Sequence, residues 1–286
     1  MSGGRLDVRK TYKLYIGGAF PRSESGRSYP VRGGDGNLVA RPARASRKDV
    51  RDAVRAARAA WKDWSDGAAY NRGQVLYRVA ELMEGRRDQF VRELEAQGST
   101  GADREVSAAI DRWVWYAGWA DKVHHVIGTV NPVAGPYFGF TFPESTGVVG
   151  VVAPEVPALL GLVSRLAPAI VSGNTAVVVA SEPRPLPAVT LCEVLATSDV
   201  PAGVVNVLTG STKELLPWLA SHMDVNAIDL SGVPEELVAD AEASAAANVK
   251  RTVRDGRVDW FDDGAQSPYA IIDFMEMKTV WHPMGV

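Results

Sequence analysis

The feature that most constrains the fold is a regular alternation of short β-type runs and helical segments after residue 147. The β-type runs are rich in valine and other apolar residues, and they lie at Val148–Val152, Ala176–Val179, Val204–Leu208 and Ala227–Leu230. Helical segments fill the gaps, near residues 158–171, 185–197, 213–222 and 234–249. Strands separated by helices are typical of a parallel sheet that is covered on both faces. The pattern therefore predicts an α/β fold with a parallel sheet.

The part of the chain before this alternation is predicted to be mainly helical. Ser46 can cap a helix, and Asp49 follows three residues later, as in a capping box. The next apolar residues fall on one helical face: Val50, Val54, Ala57, Trp61 and Trp64. Further helices are predicted around residues 69–97 and 103–126, and we interpret their aromatic residues as core contacts.

Two β-rich segments stand outside the alternation. The first follows Gly128, where Val130 and the aromatic residues of 137–142 are interrupted by prolines and glycines, which indicates a hairpin or a pair of extended arms. The second comprises the last twenty residues, Ser267–Val286, where apolar and charged residues alternate. A strand with one apolar face must be covered, so it pairs either with the chain's own hairpin or with a neighbouring subunit.

Composition excludes several classes of function. A net charge of −3 and a pI near 5.9 argue against nucleic-acid binding by bulk electrostatics. The only cysteine, Cys192, cannot form an intrachain disulfide, and the four histidines lack metal-ligand spacing. Met1–Lys10 has no apolar core of a signal peptide, and no run of 18 apolar residues exists. We expect a cytoplasmic protein without a metal, a membrane span or a nucleic-acid partner.

Several segments together, in order and spacing, resemble the aldehyde dehydrogenase superfamily over nearly the whole chain. They are Tyr15–Phe20, Tyr116–Lys122, Gly147–Pro154, Leu166–Ala169 with Gly173–Thr175, and Pro201–Val207. The resemblance implies three parts: a Rossmann-like NAD domain, a catalytic domain with a nucleophilic cysteine, and a β-stranded oligomerisation flap.

Only two of these parts are recognisable in this chain. The resemblance assigns residues 1–125 and 147–253 to the Rossmann-like NAD-type domain, and residues 126–146 and 267–286 to the flap. Residues 254–266, called the bridge below, stand where the family has its catalytic domain. The segment that would carry the nucleophile is therefore missing, and residues 252–256 do not match the Glu-Leu-Gly-Gly stretch of the general base.

The cofactor motifs implied by the resemblance are altered. Glu182, Ser231 and Gly232 are the candidate cofactor-binding residues: Glu182 matches a ribose ligand, and Ser231-Gly232 begins a turn that meets the pyrophosphate. Glu182 is alternatively a loop acid, and Gly232 a plain turn residue. Pro234 removes an N–H donor, and the acidic residues after it would repel a phosphate. NAD binding is possible, but no cofactor is expected.

Two further residues argue against catalysis. Val156 stands where the family has an asparagine that binds the oxyanion, and a valine side chain has no donor. Cys192 lies in a predicted helix with no polarising neighbour, so we interpret it as a small buried hydrophobe.

These observations leave three hypotheses. The leading one is a catalytically inactive subunit, similar to the degenerate second half of two-part aldehyde dehydrogenases. It would assemble with a full-length aldehyde dehydrogenase, or with itself, through a strand at Tyr269–Trp281. The alternatives are an NAD-dependent oxidoreductase that acts on aldehydes and a regulatory nucleotide-binding module.

Overall fold

A computed structural model describes residue 8 and residues 10–256 and 258–285. Most of Met1–Lys10, where the sequence predicts no signal peptide, lies outside the described residues. The helices are α1 Arg47–Asp66, α2 Ala69–Glu84, α3 Arg87–Ala96, α4 Ala102–Ala117, α5 Val123–Ile127, α6 Leu160–Val171, α7 Leu186–Leu195, α8 Thr212–Ala220, α9 Glu235–Ala246 and α10 Tyr269–Ile272. The strands are β1 Val31–Arg32, β2 Leu38–Ala40, β3 Thr129–Asn131, β4 Tyr137–Ser145, β5 Val148–Val152, β6 Thr175–Val179, β7 Val205–Leu208, β8 Ala227–Asp229, β9 Arg251–Val253 and β10 Met275–Pro283.

Five parallel strands form the central sheet, in the order β7-β6-β5-β8-β9. Successive side chains of a strand point to opposite faces, so Val149 and Val151 join one core cluster while Val148 and Val152 join the other. Helices α2, α3, α4, α6 and α7 supply most of the first cluster, and α1, α8 and α9 supply most of the second. The prediction of a parallel α/β sheet with helices on both faces is confirmed.

The helical part follows the sequence pattern with two breaks, the second of which divides the segment predicted over 103–126 into α4 and α5. Ser46 caps α1, and Asp49 completes the capping box by accepting a hydrogen bond from the Ser46 N–H at 2.8 Å. The segment predicted as helical over 69–97 is two helices, α2 and α3, because the chain turns at Gly85 and Arg86. Trp113 and Tyr116 are buried core residues of α4.

The two outlying β-rich segments form one antiparallel sheet, β10-β4-β3, which we call the flap sheet. Strand β10 pairs with β4 along nine residues, from Met275 opposite Ser145 to Pro283 opposite Tyr137. The last strand therefore pairs with the chain's own hairpin. The buried Asn174 amide anchors this sheet, because it donates to the Phe274 carbonyl and accepts from the Gly147 N–H, both at 2.7 Å.

The predicted strand at Tyr269–Trp281 is wrong in its first part. Tyr269–Ile272 forms the short helix α10 after Pro268, and the strand begins only at Met275. The physical reason is tertiary packing, since Ala270 and Ile271 are buried and α10 packs against α6. The alternation of apolar and charged residues holds only beyond this point.

The bridge is a packed connection. The Arg112 guanidinium donates hydrogen bonds to the Trp260 and Ala265 carbonyls, each at 2.9 Å, and the Trp260 side chain is buried. Arg112 thus holds Trp260 and Ala265 of the bridge to α4. The division into domains stays a prediction.

Candidate functional site

The candidate cofactor-binding residues lie where strands of the parallel sheet end. In open parallel sheets, ligands bind outside the carboxyl ends of the strands. Glu182 follows β6, and Ser231 and Gly232 follow β8. The structure places all three at this edge of the sheet, and each of them contacts other parts of the chain.

Gly232 lies directly against the end of β5. A Cβ atom added at Gly232 would collide with the backbone of Val152 and Ala153. The backbone of β5 therefore fills the space on that side of Gly232. This close packing explains why glycine is required here without a ligand.

Polar contacts within the chain engage Glu182 and Ser231. The half-buried Glu182 carboxylate accepts a hydrogen bond from the Thr212 N–H at 3.3 Å, at the start of α8. The Ser231 N–H donates to Asp229 at 2.8 Å, and the Ser231 hydroxyl accepts from the Asp255 N–H at 3.3 Å. The Glu182 carboxylate, the Ser231 N–H and the Ser231 hydroxyl thus each already have a partner within the chain.

The first turn of α9 is acidic. Pro234 occupies the position before the helix, and Glu235 and Glu236 follow with exposed side chains. Glu235 forms an ion pair with Arg254, whose side chain is partly exposed. Carboxylates suit the positive end of the helix dipole, but they would repel a pyrophosphate. A groove between α8 and α9 has a volume of only about 70 Å³, whereas ligand pockets usually measure roughly 300–1,000 Å³. The lining of this groove does not include Glu182, Ser231 or Gly232.

A buried ion cluster lies beside this edge. Arg165 of α6 is 2% exposed and pairs with Asp229, which is fully buried, and with Asp255 of the bridge. Burial alone would lower the pKa of Arg165, but the two carboxylates outweigh burial and raise it. The Asp255 carboxylate is thus held by a guanidinium.

Sequence reasoning missed this cluster. Arg165 was visible as a charge inside the apolar stretch Val148–Val171, and Asp229 as a carboxylate at the end of an apolar run. A buried charge requires a partner of opposite sign, which is the signal that could have joined them.

Cys192 has none of the features of a nucleophile. Its side chain is fully buried in α7, and the Sγ atom lies 3.1 Å from the Ala188 carbonyl oxygen. Burial raises the pKa of this thiol well above its ordinary value. Val156 is 60% exposed, and its side chain offers no hydrogen bond. The interpretation of Cys192 as a buried hydrophobe agrees with this geometry.

The described part of the chain contains no group of three or more histidine, cysteine or acidic side chains arranged to bind a metal. Within the same residues, no helix combines the length and the hydrophobicity that crossing a bilayer requires.

Comparison with known proteins identifies the fold. The profile described as "Aldehyde dehydrogenase family" matches residues 22–256, most of the chain. The chain belongs to this family. Human retinal dehydrogenase 2 is 33% identical over 258 residues, which cover 86% of this chain and 48% of that protein. Mouse cytosolic 10-formyltetrahydrofolate dehydrogenase is 31% identical over 256 residues, covering 86% of this chain and 28% of that protein.

A solved structure agrees with the sequence relatives. HpcC from Thermus thermophilus superposes with a TM-score of 0.81 at 29% identity, covering 86% of this chain and 48% of that one. The chain thus spans about half the length of human retinal dehydrogenase 2 and of this structure. The family match ends at residue 256, inside the bridge.

Proposed function

We propose that this aldehyde dehydrogenase family member is a non-catalytic subunit that assembles with a full-length aldehyde dehydrogenase through its flap sheet. The observation that carries the proposal is the short connection between the parallel sheet and the flap. Strand β9 ends at Val253 and α10 begins at Tyr269, so only fifteen residues separate the parallel sheet from the last helix before the flap strand. The flap is kept although no catalytic domain stands between these points.

The chemistry of the described residues supports the absence of catalysis. Aldehyde oxidation through a thiohemiacetal needs an exposed thiolate, an oxyanion donor and a base. Cys192 is fully buried with a raised pKa, and Asp255 is paired with Arg165.

The same edge of the sheet supports the proposal that NAD is not held tightly. Gly232 packs on the backbone of β5, and the start of α9 carries Glu235 and Glu236. A pyrophosphate bound at this turn would have to separate Gly232 from the backbone of β5, and it would lie beside the carboxylates of Glu235 and Glu236. We expect calorimetry to detect no NAD or NADP binding tighter than about 1 mM.

The surface of the flap sheet supports assembly. Trp281 is 60% exposed, and Tyr137, which is 42% exposed, packs its ring against Trp281 at a centroid distance of 5.9 Å. Exposed aromatic residues grouped on one sheet mark protein contacts more often than solvated surface. Strand β10 is also an edge strand of nine residues, so its outer backbone groups can pair with another chain.

The test is co-expression of the full chain with the full-length aldehyde dehydrogenase encoded closest to it. Size-exclusion chromatography with light scattering should show a hetero-oligomer. The Trp281→Glu variant should abolish the complex, because it places a charge in the interface. The Met223→Glu variant is the control, since Met223 is 73% exposed and lies outside the flap.

Three results would refute the proposal. One is a stable monomer that forms no complex, and another is self-association without the full-length enzyme. The third is turnover of an aldehyde by the purified chain that is lost in Cys192→Ser, which would favour the oxidoreductase alternative.

A further inference from the structure

A small depression lies near the start of the described chain, and every charged side chain that lines it is positive. It has a volume of about 180 Å³ and is formed by segments around residues 11–13, 22–28 and 41–43. Four cationic side chains line it, namely Lys13, Arg22, Arg27 and Arg41, and no carboxylate does. Residues 10–47 carry eight lysines and arginines but only two acidic residues, in a chain with a net charge of −3. The basic character is therefore local.

The nearby carboxylates of Glu24 and Asp49 form hydrogen bonds with other residues. Glu24 binds the Lys48 ammonium and the Ser46 hydroxyl, both at 3.1 Å. Asp49 is buried and accepts hydrogen bonds from the Ser23 hydroxyl at 2.7 Å and from the Ser46 N–H at 2.8 Å. Glu24 also interacts electrostatically with Arg27, and Asp49 lies behind Ser23, so these two carboxylates offset part of the positive charge without lining the depression.

The four cations also lack ion pairs with carboxylates among the residues that the structure describes. The neighbouring basic residues differ, since Lys10 pairs with Glu93 and Glu193, and Arg44 pairs with Glu214. Like charges that converge on one concave surface repel each other and raise the local concentration of anions. An anionic ligand would relieve this repulsion.

We infer that this depression binds a small phosphorylated ligand. Guanidinium groups match phosphate oxygens with paired hydrogen bonds, and three of the four cations are arginines. The exposed hydroxyls of Thr11 and Ser28 add donors for the remaining oxygens. A volume of about 180 Å³ suits one or two phosphate groups rather than a protein segment. The site lies in the first 43 residues, so it does not depend on the proposed assembly through the flap.

The experiment measures binding of inorganic pyrophosphate to the full chain by calorimetry. We expect saturable binding with a Kd below about 1 mM. The double variant Arg22→Gln/Arg41→Gln should weaken binding at least about tenfold, because two charge-assisted contacts are lost. The matched control is Arg55→Gln/Arg92→Gln, which removes the same charge from positions outside the depression and should change the Kd less than about twofold.

Thermal unfolding of each variant shows whether it is folded, and these arginines are expected to be dispensable for folding. Absence of saturable binding by the parent protein would overturn the inference. Equal weakening by the two double variants would do the same, because it would indicate attraction by overall charge. Binding of citrate as tight as that of pyrophosphate would refute the assignment to phosphate.

Discussion

The Arg251 guanidinium donates a hydrogen bond to the Glu276 carboxylate at 3.0 Å, which joins edge strand β9 of the parallel sheet to strand β10 of the flap sheet. The two side chains are 36% and 48% exposed. Together with Asn174, which holds the Phe274 carbonyl, this ion pair sets where the flap strand begins. The position of the flap is thus coupled to the edge of the sheet.

Glu276→Lys should loosen the start of β10, because it replaces the attraction to Arg251 by repulsion. We expect faster amide hydrogen exchange in Met275–Pro283, measured by mass spectrometry. The free energy of unfolding should change by less than about 1 kcal/mol, as is usual for exposed ion pairs. Glu235→Lys is the control, since it breaks the pair with Arg254 outside the flap. Unchanged exchange in β10 would contradict the coupling.

Arg165→Met should destabilise the chain by about 3–5 kcal/mol, because it leaves the fully buried Asp229 carboxylate without its partner. The double variant Arg165→Met/Asp229→Leu should recover most of this loss, since the carboxylate that then lacks Arg165 is that of Asp255, which is 37% exposed. Urea unfolding of the parent, both single variants and the double variant measures the coupling. Additive effects would show that the two residues act independently.

Gly232→Ala should lower the free energy of unfolding by about 1–3 kcal/mol, because the added methyl group collides with the backbone of Val152 and Ala153. Gly256→Ala is a matched control, since nothing lies within 4 Å of a Cβ added there. Chemical denaturation compares the two variants. Similar stabilities would mean that the turn after β8 is free to shift.

The Cys192 thiol should not react with a thiol reagent in the native protein, because it is fully buried and burial raises its pKa. In urea, one thiol per chain should react. An Ala59→Cys variant provides an exposed thiol on α1 as a positive control. Rapid labelling of the native parent protein would indicate an accessible thiol and would reopen a catalytic role.

Asp273 should make stability depend on pH. Burial raises the pKa of this carboxyl, the carboxylates of Asp255 and Asp229 add to the shift, and Arg165 and Arg251 oppose it. The native state then holds the proton more tightly than the unfolded chain, so this group's contribution to stability falls as pH rises from about 4 through the raised pKa.

Asp273→Asn cannot titrate, so its stability relative to the parent should increase over that interval of pH. Urea unfolding at several pH values measures the difference between the two proteins. A constant difference across the interval would show that the native and unfolded states bind this proton equally.

Most of the fold could be predicted from the sequence because its signals are local. The run Val148–Val152 is the strand β5 to the residue, and Ser46 caps α1. Strand β9 was missed because its three residues, Arg251–Val253, are polar for the most part and lie at the edge of the sheet. The start of the last strand was misplaced because burial against α6, rather than local pattern, makes Tyr269–Ile272 a helix.

The family resemblance named the candidate residues, but it did not indicate the contacts around them. Glu182 follows β6 in the structure, and Ser231 and Gly232 follow β8. The collision at Gly232 and the pairing of Arg165 with Asp229 and Asp255 depend on residues that are distant in sequence. Whether the three candidates bind a cofactor stays a prediction.

The sequence by itself determined the alternation of the strands β5 to β8 with helices, the family and the position of the single cysteine, because periodicity, caps and motifs act over a few residues. Only the tertiary structure decided that β10 pairs with β4, which precedes it by more than a hundred residues. Only the tertiary structure likewise showed that Arg165 forms ion pairs with Asp229 of β8 and with Asp255 of the bridge. Such contacts join residues that are distant in sequence, so they depend on how the whole chain packs and cannot be predicted from local sequence patterns.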